Sequence, residues 1–216
     1  TFPFELIAGN HDTVGMDNFA ACLPHRLGSI TGTYGKEYYF DHKGLARFIM
    51  ISPNLNLNGV DYEYLKGNSR YNWVASAIDG ARTAGIPWVI VGMHKNCITV
   101  GVKSCEIGTD LLGLLVDKKV DLILQGHEHN YQRSKQLATG SACTAVPINS
   151  YNSNCAVDDG SDNVYNKGAG SVLVISGGGG RSLYSVSSGD SEAGYFAKWS
   201  SSFGFTKFTV TGTEIS

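Results

Sequence analysis

The chain has 216 residues, enough for one sizeable domain with a real hydrophobic core. Hydrophobic residues make up 42% and charged residues only 17%, which excludes a disordered chain. The formal net charge of -2 provides no basic field for nucleic acid or an anionic membrane surface, so neither is expected as a partner. A phosphate-bearing substrate remains compatible, because bound metal ions supply positive charge locally.

The first residues, Thr1-Phe2-Pro3-Phe4, carry neither a basic segment nor an apolar leader, so any export signal is expected to have been removed already. No run of about eighteen apolar residues occurs, and no membrane span is expected. In chain order, short apolar runs predict buried strands at residues 4–8 (FELIA), 46–51 (ARFIMI), 87–93 (PWVIVGM), 121–124 (DLIL) and 171–175 (SVLVI). A closing strand is predicted over residues 203–211. Phe203, Phe205, Lys207 and Thr209 would lie on one face, with Gly204, Thr206, Phe208 and Val210 on the other.

Two helices fit between the strands. Residues 70–84 repeat Tyr71, Val74, Ala75, Ile78 and Ala81 at helical spacing before Gly85. Residues 110–118 gather Leu111, Leu112, Leu115 and Val116, with Thr109 as the expected N-cap. Strand–helix–strand alternation predicts an α/β fold with a parallel sheet covered on both faces, and the chain reads as one domain over 1–216.

The five cysteines suggest an oxidising compartment, and the protein is expected to be secreted. Cys97 with Cys105 and Cys143 with Cys155 each flank a short polar loop suited to disulfide closure. Cys22 is expected to be buried and free, or paired elsewhere. Residues 140–170 predict a long irregular loop stapled by the second pair.

Three predicted strands end at residues able to bind a metal: Asn10-His11, His94, and His127-Glu128-His129. Ligands of open α/β sheets gather at the carboxyl ends of parallel strands, so these residues are expected to converge. Imidazole nitrogens with an amide oxygen suit Fe, Zn or Mn better than Ca. His127 and His129, two apart, could reach two ions about 3.5–4 Å apart. His25 and His42 lie outside this pattern and read as packing or surface residues. The glycine run 177–180 lacks the pattern of a phosphate-binding P-loop and is expected to let backbones pass closely at the rim, with Arg181 as a candidate substrate contact.

The blocks Gly9-Asn10-His11-Asp12, Val91-Gly92-Met93-His94 and Gly126-His127-Glu128-His129-Asn130-Tyr131-Gln132-Arg133 resemble the later motifs of the calcineurin-like metallophosphoesterases, and GHEHNYQR is most similar to the purple acid phosphatase-like branch. The resemblance runs over residues 4–133 and more weakly to the closing strand. It implies an α/β/β/α sandwich of two mixed sheets with the metal site at strand C-terminal ends.

By the same resemblance, Asn10, His94 and His127 would bind one metal and His129 the other. His11 would contact the phosphoryl group or protonate the leaving group, and Asp12 would orient it. Glu128 is read as exposed and without a role, with Tyr131 and Arg133 as supports. The implied chemistry is attack of a metal-activated hydroxide on the phosphorus of a phosphate ester, most simply a monoester, with phosphodiester or phospholipid hydrolysis as the near alternative.

The family's earlier Asp and Gly-Asp blocks have no counterpart ahead of Gly9. The domain is therefore expected to be N-terminally incomplete, with a separate N-terminal fragment or a second copy covering the sheet edge. A non-catalytic binding domain is the reading from a different class.

Overall fold

A computed structural model describes residues 3–216; Thr1 and Phe2, part of the N-terminal stretch read above, lie outside the described residues. The elements run in the order α1 (Met16–Cys22), β1 (Thr31–Thr33), β2 (Glu37–His42), β3 (Ala46–Met50), β4 (Asn56–Leu57), β5 (Val60–Asp61), α2 (Ser69–Thr83), β6 (Trp88–Gly92), α3 (Thr109–Asp117), β7 (Leu122–Gln125), β8 (Tyr131–Leu137), β9 (Ala156–Asp158), β10 (Ser171–Ser176) and β11 (Phe196–Ser200). Nine strands form one sheet in the order β1-β2-β3-β6-β7-β10-β8-β11, with β9 also paired to β8. The centre, β3-β6-β7-β10, is parallel, whereas β1, β2, β8, β9 and β11 pair antiparallel.

The α/β reading holds, with one difference in arrangement. Among the described residues there is a single mixed sheet and a two-stranded hairpin of β4 and β5, not two mixed sheets.

Side-chain alternation sorts the central strands into two faces. The row Ile49–Val91–Ile123–Leu173 runs across the sheet in register and is buried throughout. It packs in one cluster with Val74, Ile78 and Ala81 of α2 and Leu111, Leu112 and Leu115 of α3. The next row, Phe48–Ile90–Leu122–Val172, faces the opposite side. There it meets a smaller cluster that includes Phe208, Val210 and Ile215 from the C-terminal segment. That cover is partial, and a cavity of about 710 Å³ opens on this face, lined by Ile7, Phe48, Ile90, Leu124 and Phe208 and reaching His94.

The strand predicted over residues 4–8 is absent. Ile7 makes a single parallel bridge to Gly35, and Leu6 N–H turns to the Tyr34 hydroxyl, so no second rung forms. Residues 203–211 likewise form no ladder in the sheet; β11, not predicted, takes the position beside β8. The alternation itself is present, since Thr206, Phe208 and Val210 are half-buried while Phe203, Phe205, Lys207 and Thr209 are exposed. The segment folds back on the chain end through Thr209 and Ser216 instead.

Helix α3 begins at Gly108, which has no side chain to cap it, rather than being capped by Thr109. Helix α2 is capped by Asn68, whose side-chain oxygen accepts from Tyr71 N–H at 2.8 Å. Both expected disulfides, Cys97–Cys105 and Cys143–Cys155, are formed. Cys22 is free as one alternative held, but it is exposed at the end of α1 and not buried.

Candidate active site

Strands β6 and β7 end side by side, and their loops are stitched together. Met93 N–H donates to Leu124 O at 2.9 Å, and Gly126 N–H to His94 O at 3.0 Å. This brings His94 against His127, with ring centroids 4.8 Å apart. The Gly9–Asp12 turn approaches from a distant part of the chain. His94 Nε2 lies 2.8 Å from Asn10 Oδ1 and 3.0 Å from His127 Nδ1. Three predicted ligands thus point at one another.

Gly9 makes the approach possible, because a Cβ there would press within 3.1 Å of both His94 Nδ1 and the Asp12 carboxylate. That carboxylate accepts from Gly9 N–H at 3.0 Å, so Asp12 ties its own turn. His11 and Arg181 are exposed, and neither side chain has a hydrogen-bonding partner among the described residues.

A residue outside the expected set orients the cluster. Glu106 sits 2.7 Å from His127 Nε2, and its other oxygen pairs with Lys95 Nζ at 2.8 Å. The carboxylate accepts the Nε2 proton, leaving the His127 Nδ1 lone pair facing His94 and Asn10. Nothing local in the sequence marks Glu106. The nearest signal is its position beside Cys105, which the disulfide holds against the segment after His94.

Burial, followed by the neighbouring His127, holds His94 down to about 4, although Asp12 pulls the other way. Burial also lowers His127, against the upward pull of Glu106. Both rings are therefore neutral near neutral pH, the form that binds metal.

Among the described residues no group of three or more His, Cys, Asp or Glu side chains is placed to hold a metal ion, and the third donor here is an amide. Two neutral imidazoles with an amide oxygen still fit one transition ion. Of the expected ligands among the described residues, His129 is the one that stands apart from this cluster. Its Nδ1–H donates to Ser182 O at 2.8 Å, and its ring stacks on Tyr184 at 4.0 Å, leaving Nε2 available.

Glu128 is not exposed, contrary to expectation. It is fully buried, and its carboxylate accepts from Lys103 N–H. Burial raises its pKa. A Cβ at Gly101 would overlap this carboxylate, and one at Gly177 would overlap the Glu128 carbonyl oxygen. The expected close passage of the glycine run is thus realised at Gly177, whose N–H donates to Asn130 O at 3.0 Å.

Supports for this loop come from Gln132, which accepts from Val100 N–H and donates to Thr99 and Asn130, all at 2.8–2.9 Å. Arg133 reaches instead to Asn163 at 2.9 Å and supports another loop. His25 bonds Glu5 at 2.7 Å, away from the cluster, as a packing residue would.

The chain is 34% identical over 200 residues to an uncharacterized protein of Mycobacterium tuberculosis (strain ATCC 25618 / H37Rv), covering 83% of this chain and 36% of the relative. It is 23% identical over 234 residues to the probable inactive purple acid phosphatase 1 of Arabidopsis thaliana, covering 97% of this chain and 34% of that one. Its fold matches a purple acid phosphatase from yellow lupin (Lupinus luteus) seeds with a TM-score of 0.62 at 22% identity, over 98% of this chain and 34% of that structure. The chain therefore spans about a third of the length of the relatives it matches. The sequence profile of the calcineurin-like phosphoesterases covers residues 2–131, the stretch that holds Asn10, His94, His127 and His129, and the chain belongs to that family.

Proposed function

We propose that this chain carries the metal-binding face of a phosphate-ester hydrolase, acting most simply on a phosphomonoester. The observation supporting it is that His94 Nε2 lies 2.8 Å from Asn10 Oδ1 and 3.0 Å from His127 Nδ1, with Glu106 bonded to the other His127 nitrogen. Asn10, His94 and His127 would hold one Fe, Zn or Mn ion, and His129 would contribute to a second. When bound, such ions supply Lewis acidity for a phosphoryl group and an activated water. His11, exposed beside Asn10, is free to meet the substrate and donate a proton to the leaving group. Arg181, next to the Ser182 carbonyl that orients His129, is free to contact the substrate anion.

The carboxylates that usually balance two metal charges are not among this cluster, so we propose that a further N-terminal segment or a second copy supplies them. The 710 Å³ apolar cavity reaching His94 is a suitable seat for it. Two disulfides favour secretion.

The test is elemental analysis of the purified protein with hydrolysis of an aryl phosphate monoester and its diester analogue, compared with His94→Ala. Metal uptake with monoester turnover that His94→Ala abolishes supports the proposal; preferential diester turnover replaces the substrate class. Among the described residues no carboxylate completes a group able to hold a metal ion, which favours a second reading, a domain that keeps the fold without turnover. Metal-replete protein inert towards both esters would establish that reading.

A further inference from the structure

The loop between Cys97 and Cys105 is held from several directions. Its disulfide closes it, Thr99 N–H donates to Glu192 at 2.9 Å, and Val100 N–H donates to Gln132 at 2.8 Å. Ser187 N–H donates to Val100 O at 2.8 Å, stitching the segment that contains Tyr184 to this loop. Lys103 therefore stands on a fixed platform. Its backbone N–H is taken by buried Glu128, between the two histidines of the His127–His129 turn. Its Nζ lies 5.6 Å from the centre of the Tyr184 ring, and that ring stacks on His129 at 4.0 Å.

Among the described residues no carboxylate lies within ion-pair distance of the Lys103 ammonium, as holds for most lysines here beyond Lys36, Lys95 and Lys118; what sets Lys103 apart is its place beside the His127–His129 turn. A solvated surface lysine needs no counter-ion, but it is not ordinarily held by its backbone against a candidate metal ligand loop. Here Glu128 holds the Lys103 backbone, and the ammonium lies over the face of the Tyr184 ring.

We infer that Lys103 is a substrate-binding residue, its ammonium pairing with a non-bridging oxygen of the phosphate group at the rim beside His129. The role rests on reading the site as one for phosphate esters. An ammonium is a compact point charge with three donors, suited to a phosphoryl oxygen whose orientation other groups determine. The Tyr184 face restricts where it can swing, and the missing counter-ion is provided by the substrate.

Inorganic phosphate is the probe. Calorimetric binding to the metal-loaded full chain is compared for wild type, Lys103→Met and Lys103→Arg, with thermal melting to check folding. Loss of one charge-assisted contact should weaken phosphate binding about 10- to 100-fold in Lys103→Met, while Lys103→Arg keeps most of the affinity. Wild-type binding should also weaken with added salt more steeply than that of Lys103→Met, a readout that survives a modest loss of stability. Equal affinity in wild type and Lys103→Met overturns the role of Lys103 alone. Metal uptake without any phosphate binding by wild type overturns the phosphate-ester reading, and this role with it.

Discussion

Glu106 and His127 share a 2.7 Å hydrogen bond that decides which imidazole nitrogen faces the strand-end cluster. The same carboxylate is tied to Lys95, itself buried and donating to Asn54 O at 3.0 Å. Partners of this kind orient a ligand ring and raise its basicity. Glu106→Gln should therefore lower transition-metal affinity by about 10- to 100-fold while leaving the fold intact. Competition with a chelating dye measures it, and an unchanged affinity would mean that something else sets the His127 tautomer.

The acid stability of the metal-free chain follows from His94. Its folded value of about 4 lies below the ordinary 6.5. Between those values the unfolded chain binds a proton that the folded chain refuses, so stability is lost as pH falls from 6.5 towards 4. His94→Asn removes that difference at this position. Its denaturation midpoint should change less across the window than that of wild type, and parallel pH profiles would contradict a neutral, buried His94.

Gly101 and Gly177 both leave room for Glu128, but for different atoms of it. Gly101→Ala meets the buried carboxylate and should cost about 1–3 kcal/mol, as overpacking does. Gly177→Ala meets a backbone oxygen, which cannot rotate away, and should cost more. Adding Glu128→Ala should recover part of the first loss and none of the second, a comparison that denaturant titration resolves.

Cys143–Cys155 spans 12 residues of a segment with little regular structure. Replacing both cysteines with alanine should lower stability by roughly 2–4 kcal/mol, mainly by freeing the unfolded chain. Thermal melting checks this. A midpoint unchanged from wild type would mean that Asn149 N–H on Glu192 and Asn152 N–H on Tyr195 already hold the loop.

Much of the parallel core was legible because each central strand is a continuous apolar run with helical periodicity between. Ala46, Val89, Ile123 and Leu173 all fall in predicted strands, and α2 and α3 match their predicted spans within a residue or two. The antiparallel strands were missed. β8 begins inside the GHEHNYQR block and is built from Tyr131, Gln132, Arg133, Ser134, Lys135 and Gln136 before Leu137, a composition that carries no strand signal. Gln132 and Gln136 are buried there, bonding to the 97–105 and 166–170 loops, which the chain brings together only on folding.

The same division separates the site residues. The meeting of His94 and His127 was legible because each follows an apolar run that forms a parallel strand, and the ends of neighbouring parallel strands meet at one sheet edge as a matter of topology, whereas Asn10 reaches His94 from a turn and not from a strand end. The cysteine pairs were legible for a similar reason, since short loops leave few alternatives. Residues 4–8 were misread because apolar character reports burial, whereas a strand also requires a partner backbone in register, and among the described residues this segment makes a single bridge, Ile7 with Gly35. Glu106, Glu128 and Lys103 acquire their roles from the 97–105 loop being folded onto the His127–His129 turn. That placement depends on a disulfide and on hydrogen bonds between residues tens of positions apart, and no local pattern encodes such distances.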